Sequence, residues 1–274
     1  MSKISPVLLG LSLAVVGSSM AAAQQASTPT PKVVQLIREF VKPGKAGAIH
    51  DKSESAFVNA FRKANWPTHY VAMCSLSGKS RCLYTIGYPS FDAWEKDTKA
   101  QEQNATLTEE LGKATEVDGE LLDSMDQAVL YYDEDLSYHA VGDLSHARYM
   151  EITEFHVRAG HHKDWSDLAK MYIAACEKAE ASAHWAMFHV EYGGTGGTYL
   201  LFSSDKSMAD IDSGFAIGKK IQEAMGEEGM KKFTELEAAA VESSNQQLFA
   251  INPHQSYVSD DWIKEDPSFW KPAQ

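Results

Sequence analysis

The chain has 274 residues, 44% of them hydrophobic and 23% charged, a globular composition sufficient for one large core or two modest ones. A formal net charge of −13 leaves no basic stripe to displace counterions from phosphates, so nucleic acid is not an expected partner. No apolar run is long enough to cross a bilayer.

The N-terminus is unlike the rest. Residues 1–23 carry one cation (Lys3), the apolar run VLLGLSLAVVG and small residues ending in Ala21-Ala22-Ala23. That order is the pattern of a secretory signal peptide, with cleavage expected after Ala23. The protein is therefore expected to be exported, periplasmic or secreted, and free of the membrane after cleavage. Residues 24–32, QQASTPTPK, read as a short linker, because their prolines and threonines do not continue a helix.

From residue 33 the chain writes one plan twice. Val41-Lys42-Pro43-Gly44 returns as Val157-Arg158-Ala159-Gly160, 116 positions on. Thr68-His69-Tyr70 returns as Ala183-His184-Trp185, and Tyr84 as Tyr199, at 115. Gln127 and Ser137-Tyr138 return as Gln246 and Ser256-Tyr257, at 119. A period above one hundred residues far exceeds the ~20–50 of solenoid repeats, so it signals two copies of a small domain. Their expected limits are 33–138 and 147–258, followed by a tail, 259–274, whose aromatics among acids suit a segment lying over a groove.

Each copy opens on a strand, VVQLIREFV or YMEITEFHV, and turns at KPGK or RAGH. A helical stripe follows, weak in the first copy (Phe57, Ala60, Phe61, Ala64). It is clean in the second: Trp165, Leu168, Ala169, Tyr172, Ile173 and Cys176 share one helix face. Next come hairpins turning at SGKS and GGTGG, then helices opened by Ser-capped SFDAWEKD and SMADID. Breaks in the long helical tracts are expected near Gly112, Gly119, Gly226 and Gly229. Short strands, VLYYD and LFAIN, close each copy. The order β-α-β-β-α-β, twice, predicts an α+β protein of two tandem ferredoxin-like domains. Helices cover one face of such a sheet, so the bare faces are expected to pack sheet-to-sheet as a pseudo-dimeric α+β barrel.

In this plan the chain resembles the dimeric α+β barrel superfamily, including its antibiotic-biosynthesis-monooxygenase-like and EthD-like domains. The resemblance rests on the strand-then-"pG" phrases at Gly44 and Gly160, the glycine hairpin, and the Tyr-Leu strand leading into Lys206-Ser207-Met208-Ala209-Asp210. It spans nearly all of residues 33–258. Members include cofactor-free monooxygenases, haem-degrading oxygenases, chlorite dismutases and dye-decolourising peroxidases, so it implies a fold and leaves function open.

Candidate chemistry gathers in the second copy. Ile152, Glu154 and His156 share one strand face, and Met187, His189 and Glu191 share another. If both faces turn to one cavity, Glu154, His156, His189 and Glu191 form an acid/base group or a mixed nitrogen and oxygen metal site. The competing reading is four hydrogen-bonded residues at a sheet margin. His184 and Trp185 are candidate ligand-binding residues, as is Arg38, which corresponds to Glu154 and either pairs with it across the two sheets or stands with it solvated at the sheet edge. Cys74 and Cys82 lie equally far from Gly78, on facing hairpin positions ~4.5–5.5 Å apart, which admits either a disulfide or two buried thiols. Cys176, on the helix stripe, is expected to be a small core residue. No Gly-x-Ser-x-Gly, Walker or Cys-x-x-Cys motif occurs, and no cofactor or metal is assigned. The expected function is binding of a small, partly apolar organic molecule, with oxidative or isomerising activity in the second copy. A non-enzymatic exported scaffold is the alternative. Oligomeric state is not legible.

Overall fold

The first strand, β1 (Val33–Val41), alternates Val34 and Leu36 on one face with Ile37 and Glu39 on the other. That alternation is repeated around an eight-stranded antiparallel sheet. The computed structural model describes residues 29–140 and 143–271; the expected signal peptide lies outside them. In the first half, β1 is followed by α1 (Ala48–Lys63), β2 (Tyr70–Ser75), β3 (Arg81–Tyr88), α2 (Phe91–Gln103), α3 (Ala105–Gly119) and β4 (Leu122–Tyr138). The second half runs β5 (Tyr149–Val157), α4 (His162–Lys178), β6 (Trp185–Tyr192), β7 (Thr198–Asp205), α5 (Met208–Ala240) and β8 (Val241–Ile251). Two short helices, α6 (Asp260–Glu265) and α7 (Pro267–Trp270), end the described chain. Among the described residues no helix is long and apolar enough to cross a membrane.

The strands close into one barrel in the order β1-β3-β2-β8-β5-β7-β6-β4. The bare faces meet across a shared lumen, and the edges of the two halves are hydrogen-bonded to each other as well. One seam pairs β4 with β6 (Tyr131 opposite His189), the other β2 with β8 (Met73 opposite Ile251). This explains why β4 has 17 residues where a short closing strand was expected: its length lets it pair with β1 and with the other half's β6. Every strand contributes to one buried lumen cluster: Leu36, Met73, Leu83, Leu130, Ile152, Phe188, Leu200 and Phe249. The tail closes one mouth. Trp270 is buried there and its indole N–H donates to the Ser145 carbonyl at 2.8 Å, while Arg148 pairs with Asp266 and stacks on Phe269.

Helix breaks follow local chemistry more than glycine count. α2 ends at Asn104, whose side chain caps the next helix by accepting from Leu107 N–H. Gly112 sits inside α3, where no break occurs, and Gly119 ends it. In α5 the bend is at Gly226, with φ of 70°, and Gly229 remains helical. The expected stripe of α4 is buried, and Cys176 lies in it with its thiol pushed up to about 11 by burial.

The glycine hairpin after β6 is tight against neighbouring backbone at both Gly193 and Gly197. Gly193 has φ of 78°, and a Cβ there would stand 2.2 Å from the Gln127 carbonyl oxygen on β4. Gly196, three residues on, has open space. Gly193→Ala is therefore expected to lower stability by about 2 kcal/mol or more, and Gly196→Ala by well under 1 kcal/mol. Urea midpoints of the two variants check this; equal midpoints would refute it.

Candidate functional site

A cleft of about 740 Å³ opens outside the barrel in the second half, between the sheet and the first part of α5. Its floor is the outer face of β5, β7 and β8 (Thr153, Leu201, Ser203, Gln246). Tyr172 of α4, Trp185 at the start of β6, and Ile211, Ile217 and Ile221 of α5 supply apolar walls. Period two on β7 is the reason polar and apolar groups meet there: Leu201, Ser203 and Asp205 point outward while Leu200 and Phe202 fill the lumen. Phe215, 78% exposed, stands at the rim.

Two titratable groups converge in this cleft. The Asp205 carboxyl is pushed up to about 6, first by burial and then by the nearby charge of Glu151. Its Oδ2 is buried and makes no hydrogen bond. His184 contributes a small opposing effect, so it lies close enough to feel the carboxylate. The His184 Nε2 is 2.8 Å from the Ser204 carbonyl oxygen, which only accepts, so Nε2 carries the proton and Nδ1 is left as the basic nitrogen. Trp185 is fixed by its indole N–H donating to the Leu136 carbonyl at 2.9 Å. Asp210, at the mouth, is held by Lys206 N–H and the Ser207 hydroxyl.

Of the residues singled out in the sequence, His184 and Trp185 line this cleft and Arg38 does not. Arg38 follows Leu36 onto the lumen face of β1 and pairs with Asp126 on neighbouring β4 instead of Glu154. Glu154 accepts from His156 at 2.9 Å, and the other ring nitrogen of His156 is 3.1 Å from the Thr198 hydroxyl. Arg81 occupies the space between, stacked on Phe40 and Phe249 and hydrogen-bonded to Gln247. His189 and Glu191 bond to each other at 3.0 Å on the outer face of β6, beside Tyr131.

The grouping of Glu154, His156, His189 and Glu191 is therefore not assembled. Glu154 and His156 follow Ile152 into the lumen, whereas His189 and Glu191 follow Met187 onto the helix-covered face, with β7 between the two strands. Each half of the group is a local pair. Cys74 and Cys82 face each other across β2 and β3 and are joined by a disulfide, Cα to Cα 4.1 Å. Asp205 was missed because a single acid at a strand end carries no signal; its one clue is its position two residues after Ser203 on the cleft face.

No family model and no curated protein matches this chain. Solved structures match its fold. A candidate monooxygenase from Lactobacillus acidophilus NCFM superposes with a TM-score of 0.51 at 8% identity, covering 81% of this chain and 94% of that one. A second candidate monooxygenase, from Fusobacterium nucleatum, gives 0.53 at 10% identity over 82% and 94%. An anthrone oxidase-like protein gives 0.51 at 14% over 80% and 91%. These likenesses define the class of fold, an α+β protein of the dimeric α+β barrel type. At such identities they define the fold alone.

Proposed function

We propose that the protein binds a small, partly apolar organic molecule in the second-half cleft and removes a proton from it with Asp205. The observation that carries this is a carboxylate on the floor of an apolar-walled cleft, its Oδ2 buried without a hydrogen bond and its pKa pushed up to about 6 by that burial. A base of that strength is ionised at neutral pH and still strong enough to accept a proton from an acidified C–H or O–H. Oxidative and isomerising reactions of enolisable or phenolic molecules both begin with that transfer. Trp185 and Tyr172 offer flat surfaces to a ring, and Ser203, whose hydroxyl donates to the His184 carbonyl at 2.9 Å, offers an oxygen that can accept from a ligand hydroxyl. The monooxygenase-like and anthrone oxidase-like fold neighbours support polycyclic ketones as the first compounds to try.

The reading extends to organisation and location. The matching strand orders of the two halves, β4-β1-β3-β2 and β8-β5-β7-β6, support descent from two tandem ferredoxin-like copies. The leader sequence and the Cys74–Cys82 bond support export to an oxidising compartment.

Titration with anthrone, followed by tryptophan fluorescence, tests the binding step. Saturable quenching is expected in the parent protein and is expected to fall at least tenfold in affinity in Ser203→Trp, which fills the cleft floor. A panel of polycyclic ketones and phenols that quenches neither protein would leave the non-enzymatic scaffold as the better reading.

A further inference from the structure

The first half carries a different feature. Where β1 meets α1 and α3 it buries four ionisable side chains: Glu39, His50, Glu54 and Asp118, exposed by 7, 0, 3 and 2%. One ligand atom from each lies within 4.8 Å of all the others. His50 Nε2 is 3.3 Å from Glu39 Oε2 and 3.4 Å from Asp118 Oδ1. These three atoms, with Glu54 Oε1, are buried and make no hydrogen bond. We propose that Glu39, His50, Glu54 and Asp118 form a closed structural site for one zinc-class divalent cation, which ties α1 and α3 to the sheet.

Three observations converge on it. Charge is the first: three buried carboxylates around one imidazole keep a net negative charge even when that imidazole is protonated, and are prohibitively desolvated unless a cation or further protons neutralise them. Spacing is the second, since a tetrahedron with bonds of ~2.1 Å has edges of about 3.4 Å, the separations found around His50 Nε2. One nitrogen and three oxygens suit zinc, or manganese and iron after it, better than the all-oxygen shells of calcium and magnesium. The third is the internal control. Strand register places Phe155 of β5 where Glu39 stands on β1, and Tyr199 of β7 where Cys82, two residues before the Tyr84 expected from sequence spacing, stands on β3. There the same position is filled by packed rings, Phe155, Trp165 and Tyr199, with centroids 4.9 and 5.2 Å apart. The fold closes without ionisable groups at this place, so those in the first half serve something the fold does not demand.

A proton competes with the metal. Gln255 Nε2 faces His50 Nδ1 at 3.3 Å and donates to Asp51 at 2.8 Å, an arrangement that leaves the imidazole proton on Nε2. Ligation requires the Gln255 amide to turn, so that its Oε1 accepts from His50 Nδ1–H and His50 Nε2 is freed, the arrangement in which a neighbouring acceptor orients a zinc-bound histidine. All four groups are then satisfied with no position open to substrate, which makes the site structural.

The test uses the full chain, stripped with a chelator and titrated with zinc chloride, metal being counted by mass spectrometry. One zinc per chain is expected, with a melting temperature that falls on stripping and returns on refilling. Affinity is expected to drop at least 100-fold in Glu54→Gln and in Asp118→Asn, and to be unchanged in Asp143→Asn, which alters the surface group of Asp143, His146 and Glu265. X-ray absorption of the zinc-loaded parent protein, which involves no variant, should show one nitrogen and three oxygens at ~2.0–2.1 Å. Failure of stripped, folded protein to take up zinc, manganese or iron overturns the proposal in favour of a proton-sharing cluster. Uptake that ignores both substitutions, or a six-oxygen shell, overturns it too.

Discussion

Phe249→Ala is expected to lower stability by 3–5 kcal/mol, the largest loss from any single side-chain truncation in the lumen. Phe249 is fully buried on β8, opposite Ser75 of β2 and Met150 of β5, so it stands on the seam between the halves. Its ring also carries the Arg81 guanidinium, 5.4 Å from the centroid. Truncation removes transfer energy, leaves a cavity that eight rigid strands cannot collapse into, and strips one face of a half-buried cation. Phe249→Leu keeps most of the volume and is expected to cost less than about 1.5 kcal/mol. Phe215→Ala, at the exposed cleft rim, should fall within about 0.5 kcal/mol of the parent. Urea unfolding with unchanged m-values measures all three, and the two halves should melt in one transition because they share the lumen. A cost below 1 kcal/mol for Phe249→Ala would refute a shared core.

Asp205→Asn is expected to reduce turnover of any cleft substrate by 10²–10⁴-fold with little change in its affinity, because the amide keeps the shape and loses the base. The pH dependence carries the sign. Parent activity should rise through about pH 6 as the carboxylate forms, and the variant should lack that limb. Stability moves the other way. The carboxyl holds its proton more tightly folded than unfolded, so between about pH 4 and 6 the folded state binds more protons and stability declines as pH rises. Above pH 6 Asp205→Asn escapes that cost and should be more stable by about 1 kcal/mol, after allowance for solvent screening. A variant that keeps its activity while gaining stability would reduce Asp205 to a strained structural acid.

Much of the fold was legible because one order of elements is written twice: Gly44 and Gly160 set a phase, and α4 announced its face from Trp165 to Cys176. The face of each strand was not. In a barrel lined inside by apolar side chains and covered outside by helices, both faces of β5 and β6 are apolar. Nothing in YMEITEFHV or WAMFHVEY tells which alternate set enters the lumen, and His156 and His189 were grouped by a period whose phase is invisible. The buried quartet hid differently. His50 and Glu54 are one turn apart and continue the stripe of Val58 and Phe61 toward the start of α1, where polarity reads as a solvated helix end. Extending the stripe back by one turn would have flagged them; Asp118, on a remote helix, had no such cue. His184 and Trp185 echo His69 and Tyr70 in sequence, and His184 and Trp185 border the cleft. His69 stacks on Tyr257 at 4.8 Å, which closes the first half's equivalent position.

The seam between β2 and β8 joins Met73 to Ile251, residues from opposite ends of the folded chain. A ribosome therefore delivers the first half long before the strand that completes its edge exists. Until β8 emerges, β2 offers bare backbone amides and the lumen side of the nascent sheet stays wet, the state in which chains stick to one another. Maturation should thus be slow, concentration-sensitive and helped by a holding chaperone, with little native structure gained before translation ends.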